Sequence, residues 1–539
     1  MDGRAQRGAR AAAESAPGAG QRWARRWARR TILALALLTV LLAAWASRDE
    51  SLTWDEPIFI IAGLSYWQTG DHRLNSEAPP FAQQLLALPL LAMDLPRPPY
   101  AGPGFRAANQ VGFAVDYLAT QAEHLNAITQ SARAPVWLAS GLGVWLAGSW
   151  ALAMFGPAAA VTAALGVALS PTLMAHGRLA TTDMLCTTAM LAASYVLWRT
   201  LRSGQWRTWL LYGALVALAV MAKFTALLLG PLAVVQVAYA VLVDKRAPWP
   251  LLLRAAASLA MFVLVIGACY GRVLDIRPFI DGLSHLYVNT NSDYHSYLLG
   301  AVLDRSAWYY YLATFVLKTP LPALLLLAAA VLGALRHARG REAAVFLLLP
   351  ALVMMGVSCF DTINVGLRRV LPALPMLAIF SSVVASAPWT PRRRALVASA
   401  LLWMLAETAW YFPYQLAYIS PLAGGPTRAP YVLDDSNIDW GQELPRLARW
   451  QAEHARDEPL YLSYFGTIAP SLYGVKATPM TEQHYRNPGP GLYALSTHRL
   501  VWLRKIEHFT HAGVDWLTRY QPIARIGYSI YVYRFPQAR

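Results

Sequence analysis

Residues 208–243 read TWLLYGALVALAVMAKFTALLLGPLAVVQVAYAVLV, an apolar stretch carrying a single charge, Lys223. A helix needs ~20 mostly apolar residues to cross ~30 Å of hydrocarbon at ~1.5 Å per residue. The stretch is therefore too long for one span, and its length fits two, 208–222 and 224–243, with Lys223 at the joint. Similar blocks recur on both sides: 31–47, 135–154, 157–175 and 184–200 upstream, and 251–271, 312–335, 343–360, 370–386 and 395–413 downstream. At 539 residues the chain could hold two or three soluble domains, but 56% of it is hydrophobic and only 14% charged. Soluble chains carry about 25% charge, and the mean hydropathy here is +0.35. The expected fold is an all-α polytopic membrane bundle of about eleven transmembrane helices.

The formal net charge of +16 raises the question of nucleic acid. Much of the arginine instead sits in short clusters between spans, where orientation signals lie, and no recognition motif accompanies it, so no nucleic-acid partner is expected. Residues 1–30 are rich in Ala, Gly and Arg and end in Arg22, Arg25, Arg26, Arg29 and Arg30. They are expected to form a disordered basic cytoplasmic tail. The basic flank and the Ala44-Trp45-Ala46 ending of the first apolar run also fit a cleavable leader, although the later spans anchor the chain without it. Alternating sides from a cytoplasmic start places Arg199/Arg202/Arg207, Lys245/Arg246, Arg336/Arg339/Arg341 and Arg392/Arg393/Arg394 inside. That is the positive-inside pattern, and it sends the C-terminus out. The expected location is a bacterial inner membrane, with membrane lipids as partners. Cys186, Cys269 and Cys359 lie in or beside apolar segments, form no CxxC pair and read as small core residues.

Three outer segments are longer than turns. Residues 48–134 form a first loop with amphipathic stretches such as Pro79 to Met93, and residues 272–311 form a second, closing on the aromatic anchor Trp308-Tyr309-Tyr310-Tyr311. Residues 414–539 alternate helix-like and strand-like stretches, such as Glu443 to His454 then Leu460 to Phe465. They are expected to form a small extracytoplasmic α/β domain.

Polar groups in costly places mark the chemistry. Asp55-Glu56 lies just beyond the first span, and Asp183 closes His176-Gly177-Arg178-Leu179-Ala180-Thr181-Thr182-Asp183 at the outer mouth of two spans. A carboxylate in an apolar setting loses hydration, which raises its pKa and suits it to act as a general base. The plainer reading is a solvated turn or helix cap. Arg133, Lys223, Lys318 and Arg368/Arg369 all fall on the outer side, where the positive-inside rule places few cations. A charge near mid-bilayer costs roughly 2.5–3.5 kcal/mol even on lenient scales, so such a lysine usually faces a cavity or a partner rather than snorkelling. Outward cations beside outward carboxylates suit a phosphate-bearing substrate and an acceptor that must lose a proton. A sugar on a lipid phosphate already has a good leaving group, whereas a glycosidase needs an acid to protonate its leaving oxygen. There is no P-loop, HExxH or GxSxG motif. Nucleotide sugars are cytosolic, on the wrong side for this site.

The ordered set Asp55-Glu56, Ala78-Pro79-Pro80-Phe81, Arg133-Ala134-Pro135-Val136 and Ser170-Pro171 through Asp183 resembles glycosyltransferase family 39. Lys223-Phe224-Thr225, Tyr309-Tyr310-Tyr311 leading to Lys318-Thr319-Pro320-Leu321-Pro322, and Asn364-Val365-Gly366-Leu367-Arg368-Arg369-Val370-Leu371-Pro372 continue it. That family contains the protein O-mannosyltransferases and the bacterial aminoarabinose transferases of lipid A. The resemblance implies a GT-C fold over 31–413 and inverting transfer from a polyprenyl-phosphate sugar to an extracytoplasmic acceptor hydroxyl on protein, lipid or glycan, with no cofactor required. By position it implies Asp55 as catalytic base, Glu56 as its neighbour and Asp183 as the second acidic site. Arg133, Lys223, Lys318 and Arg368 become candidates for the donor phosphate. The chain departs from the family at Ala78, where His often precedes Pro-Pro, and at Leu367-Arg368-Arg369, where His-Arg-Tyr is common.

The tail motif Gly424-Gly425, then Asp434-Asp435-Ser436-Asn437-Ile438-Asp439-Trp440-Gly441-Gln442, looks like that of uncharacterised bacterial relatives. Asx-rich stretches usually build turns and caps; the alternative role is acceptor binding through Asp435, Asp439 and Trp440. Asp434, Asp435 and Asp439 could ligate a divalent ion through oxygen, but no ligand spacing supports it and no metal site is expected. The competing function is a transporter or flippase of a lipid-linked sugar. Transporters often show internal repeats and helices broken near mid-membrane; the sequence shows no convincing halves, and its carboxylates gather outside.

Overall fold

The computed structural model describes residues 19–272, 275–289, 295–334, 338–386, 390–456 and 458–536. Helix α1 spans Ala19–Ala46. Of the expected disordered tail, residues 1–18 lie outside the described residues, whereas residues 19–30 belong to this helix. Here the expectation is corrected, because the arginines simply extend an apolar helix by three turns. Ala28, Ile32, Ala36 and Ala43 are buried while Leu33, Leu37 and Leu41 are exposed, so one small-residue face packs inward and a leucine face looks outward.

Asp55 directly precedes helix α2 (Glu56–Thr69). Helix α3 (Leu125–Met154) packs on α1. The two approach closely because a Cβ on Gly141 would meet the Ala36 carbonyl at 2.8 Å and one on Gly148 would meet Ile32 at 2.7 Å. The expected span 157–175 is two helices, Pro157–Ala168 and Pro171–His176, divided where Ser170 caps the second. Helix α4 (Thr182–Ser203) carries Asp183 in its first turn, and α5 (Trp206–Ala222) ends at Lys223, whose extended backbone breaks the apolar run. Helix α6 (Pro248–Cys269) lies against α5, with a Cβ on Gly213 only 2.2 Å from the Ser258 carbonyl.

Among the described residues, five segments are long and apolar enough to cross a bilayer: Ala19–Asp49, Ala122–Met154, Phe224–Leu242, Pro248–Cys269 and Arg339–Ser358. The expected span 312–335 is not a single rod. Helices α7 (Tyr310–Lys318) and α8 (Leu321–Ala334) meet at 117°. Pro320 supplies no N–H and pushes Thr319 into extended backbone (φ −109°, ψ 130°), which ends α7.

The C-terminal residues build a five-stranded mixed sheet of β1 (Leu460–Ser463), β2 (Thr478–Pro479), β3 (Gly491–Ser496), β4 (Ala524–Ile526) and β5 (Ile530–Phe535), in the order β2-β1-β3-β5-β4. Strand β1 runs parallel to β2 and β3, and β5 is antiparallel to β3 and β4. Along β3, Leu492 and Ala494 face a core shared with Leu444 and Leu447, while Tyr493 and Leu495 face one built on Leu500, Leu503 and Trp516. Helices Leu444–His454 and Thr497–Thr510 thus cover opposite faces. The chain is a membrane-embedded, mostly helical protein with a small C-terminal sheet. The segment from Gln415 to Asn437 is a series of short 3-10 turns rather than part of that sheet.

Candidate active site

Four side chains from four elements meet beneath the junction of bundle and sheet. Arg368, on the 3-10 turn Leu367–Val370, donates from Nη1 to Asp55 Oδ2 at 2.8 Å and lies 3.8 Å from Asp183 Oδ2. Lys223 Nζ donates to Asp183 Oδ1 at 2.6 Å. The result is an alternating chain, Asp55–Arg368–Asp183–Lys223. Asp183 is buried, whereas the Asp55 and Lys223 side chains keep 21% and 28% of their exposure, so the two ends of the chain are the accessible ones. Burial raises the Asp55 carboxyl above its ordinary value; the Arg368 guanidinium opposes this, and Asp183 and Asp435 add to it.

Glu56 turns away from this group. Its two oxygens accept from Arg133 Nε and Nη2, both at 2.7 Å, and from the backbone N–H of Thr53 at 2.7 Å and Ala180 at 2.5 Å. Arg133 spends its remaining donors on the carbonyls of Ser47, Glu50 and Ser51. Both side chains are 0% exposed. Two of the four cations expected at the donor phosphate are therefore committed elsewhere. Arg133 is one, since it clamps the first external loop to α3 as a fully satisfied bidentate pair. Lys318 is the other, because its buried Nζ donates to the Leu416 carbonyl at 2.7 Å and to that of Asn437. Glu56 likewise fixes the loop that presents Asp55 rather than facing an acceptor.

A second buried pair was not foreseen. Arg178 Nη2 and Nε bond Glu50 at 2.6 and 3.0 Å, while Nη1 reaches Gln415 at 2.8 Å. The visible signal was an arginine inside the His176–Asp183 stretch; its partner, more than a hundred residues away, had none.

The tail motif enters the same junction. Trp440 is buried, with the Arg368 guanidinium 4.2 Å above its ring. Asp439 is buried and accepts from the Gly441 and His498 N–H groups at 3.1 and 3.0 Å; burial lifts its carboxyl to about 6. Asp439 and Trp440 are thus enclosed, which departs from the expected acceptor-binding role: neither offers a free surface to an acceptor. Asp435, with φ +60°, is buried and accepts from the Ser436 N–H at 2.6 Å, and its charge adds to the rise of the Asp55 carboxyl. Asp434 accepts from Lys505 Nζ at 3.0 Å and pairs with His498 Nδ1 at 2.9 Å. Burial alone would raise its carboxyl, but His498 and Lys505 outweigh this and hold it well below the usual range. With these oxygens engaged, the three aspartates do not converge, and among the described residues no cluster of three or more His, Cys, Asp or Glu is placed to hold a metal ion.

Comparison with known proteins follows the same lines. Residues 113–267 match the family model described as dolichyl-phosphate-mannose-protein mannosyltransferase. No curated protein sequence matches the chain. Among solved structures, ArnT from Cupriavidus metallidurans in its apo state superimposes with a TM-score of 0.50 at 13% identity, covering 93% of this chain and 97% of that one. The same protein bound to undecaprenyl phosphate gives 0.50 at 12% identity, with the same coverage. The fold is that of the GT-C membrane glycosyltransferases. Over residues 113–267 the chain is in addition similar to the dolichyl-phosphate-mannose-protein mannosyltransferase family.

Proposed function

We propose that this protein transfers a sugar from a polyprenyl-phosphate-linked donor to an extracytoplasmic acceptor hydroxyl, with inversion at the anomeric carbon. The observation that carries the reading is the Asp55–Arg368–Asp183–Lys223 chain, which joins an accessible carboxylate at one end to an accessible cation at the other. The bound undecaprenyl phosphate of the ArnT structure supports a lipid phosphate as the carrier. In the proposed step Asp55 takes the acceptor's proton as its oxygen attacks the anomeric carbon. The carbon–oxygen bond to phosphate breaks with its electron pair, and the charge that develops on the departing lipid phosphate is met by Arg368 and Lys223. Asp183 holds those two cations side by side. Arg133–Glu56 and Lys318 act at one remove, by fixing the loops that carry Asp55 and the tail motif. Of the tail residues, Asp435 is the least enclosed of the three candidates for contact with the acceptor, and its charge acts on Asp55. The associated topology is about eleven spans in a bacterial inner membrane, with the N-terminus cytoplasmic and the sheet domain outside.

The test compares cell-envelope glycans and glycolipids by mass spectrometry in cells lacking the gene, complemented with wild type or Asp55→Asn. Loss of a general base is expected to lower transfer at least ~100-fold, leaving the variant close to the deletion. Wild-type levels of the modification with Asp55→Asn would end this assignment. A flippase would instead move donor lipid across vesicles containing no acceptor.

A further inference from the structure

The segment Asp434–Gln442 touches both halves of the proposed catalytic pair, although it belongs to neither the bundle nor the sheet. On one side the Trp54 N–H, one residue before Asp55, donates to the Trp440 carbonyl at 3.0 Å, and the Ser51 N–H donates to that of Gln442 at 3.0 Å. Ser51 Oγ adds a bond to the Gly441 carbonyl at 2.7 Å. On the other side the Leu367 N–H donates to Asn437 Oδ1 at 3.0 Å, Ser436 Oγ donates to the Val365 carbonyl at 2.6 Å, and the Trp440 ring carries the Arg368 guanidinium. The fit at this second side is close: Gly366 has φ +107°, and a Cβ there would stand 2.6 Å from Ser436 Oγ.

The outer edge of the strap is held by the sheet domain. Phe465 stacks on Trp54 at 5.1 Å between ring centroids, and His498 lies 4.0 Å from Phe465 while bonding Asp434. We infer that Trp440 is a positioning residue of the transferase centre: its ring seats the Arg368 guanidinium between Asp55 and Asp183, while its backbone holds the residue before Asp55. The inference rests on the proposed function above. It makes the sheet domain a working part of the enzyme, since a load on that domain reaches Arg368 through the strap. A cation over an aromatic face is attracted by the ring quadrupole, which phenylalanine keeps in part and leucine, close to phenylalanine in bulk, lacks.

The experiment uses the full chain in cells lacking the gene, with envelope modification followed over time by mass spectrometry. Trp440→Phe keeps a ring face and is expected to stay within about threefold of wild type. Trp440→Leu, which leaves a cavity of similar size without the ring face, is expected to lose about tenfold or more, while its detergent-solubilised protein melts close to Trp440→Phe. In isolated membranes containing endogenous donor lipid, Trp440→Leu should also shift the acid limb of the rate profile to higher pH. Arg368, Asp183 and Asp435 are the charged groups facing Asp55, and once Arg368 drifts only the carboxylates remain. If Trp440→Leu does not accumulate, Gly366→Ala, which forces the turn off Ser436, should give the same loss by an independent route. Wild-type activity with an unshifted profile in Trp440→Leu, or in Gly366→Ala where that is the variant measured, overturns the inference. Asp55→Asn run alongside separates the two ideas: its inactivity leaves the proposed function standing whatever Trp440 does, and its activity removes that function.

Discussion

At Asp55 two opposing influences set when the carboxylate can accept a proton. Burial raises its pKa, and Arg368, 2.8 Å away, restrains the rise. A general base works only when ionised, so transfer is expected to fall as pH drops through a limb above that of an exposed aspartate. Arg368→Gln should move that limb further up, because it removes the cation bonded to Asp55 while Asp183 and Asp435, which raise the Asp55 carboxyl, stay in place. A pH–rate profile of wild type and variant in isolated membranes checks the sign; a downward movement would contradict it. The four residues of the central chain were all readable as charges in the wrong place for an outward-facing span. What hydropathy could not tell was direction. Lys223 and Arg133 look alike on a linear chain, yet the first keeps an accessible amine beside Asp183 and the second is sealed among Glu56 and three carbonyls. Backbone carbonyls from distant loops are invisible partners in a sequence.

Helix contacts carry a different kind of constraint. Gly213 admits the Ser258 carbonyl so closely that any side chain must push α5 and α6 apart, and Ser258 Oγ ties the same crossing to the Trp209 carbonyl at 2.8 Å. Gly213→Leu is expected to destabilise by about 1–3 kcal/mol or more through overpacking. Gly230→Ala, with open space around it, should be neutral. Thermal melting of the detergent-solubilised variants distinguishes the two, and equal melting temperatures would refute this account of the crossing. The apolar blocks were legible because span length is dictated by bilayer thickness. The break at Thr319–Pro320 is less so: proline signals a turn but not its 117° angle, nor the carbonyls of Leu416 and Asn437 that Lys318 meets beside it.

Over the whole molecule, the arginine clusters fit the orientation proposed for the site. An alkaline phosphatase fused after Arg539 should therefore be active in cells, whereas fusions within the Lys245/Arg246 loop should not; the reverse result would invert the proposed topology. The sheet is legible as strand-like stretches and its hold on the bundle is not, because the stacked pair Trp54–Phe465 joins residues from far-separated parts of the chain. The order of synthesis gives this hold a consequence. Every apolar block leaves the ribosome before residue 434 does, so Asp55 and Arg368 are inserted into the membrane without the segment that seats them. On the proposed function and topology, a nascent chain can complete its membrane integration with Asp55 and Arg368 still loose, and gains competence only once the residues from 434 onward have crossed the membrane and folded back onto the bundle.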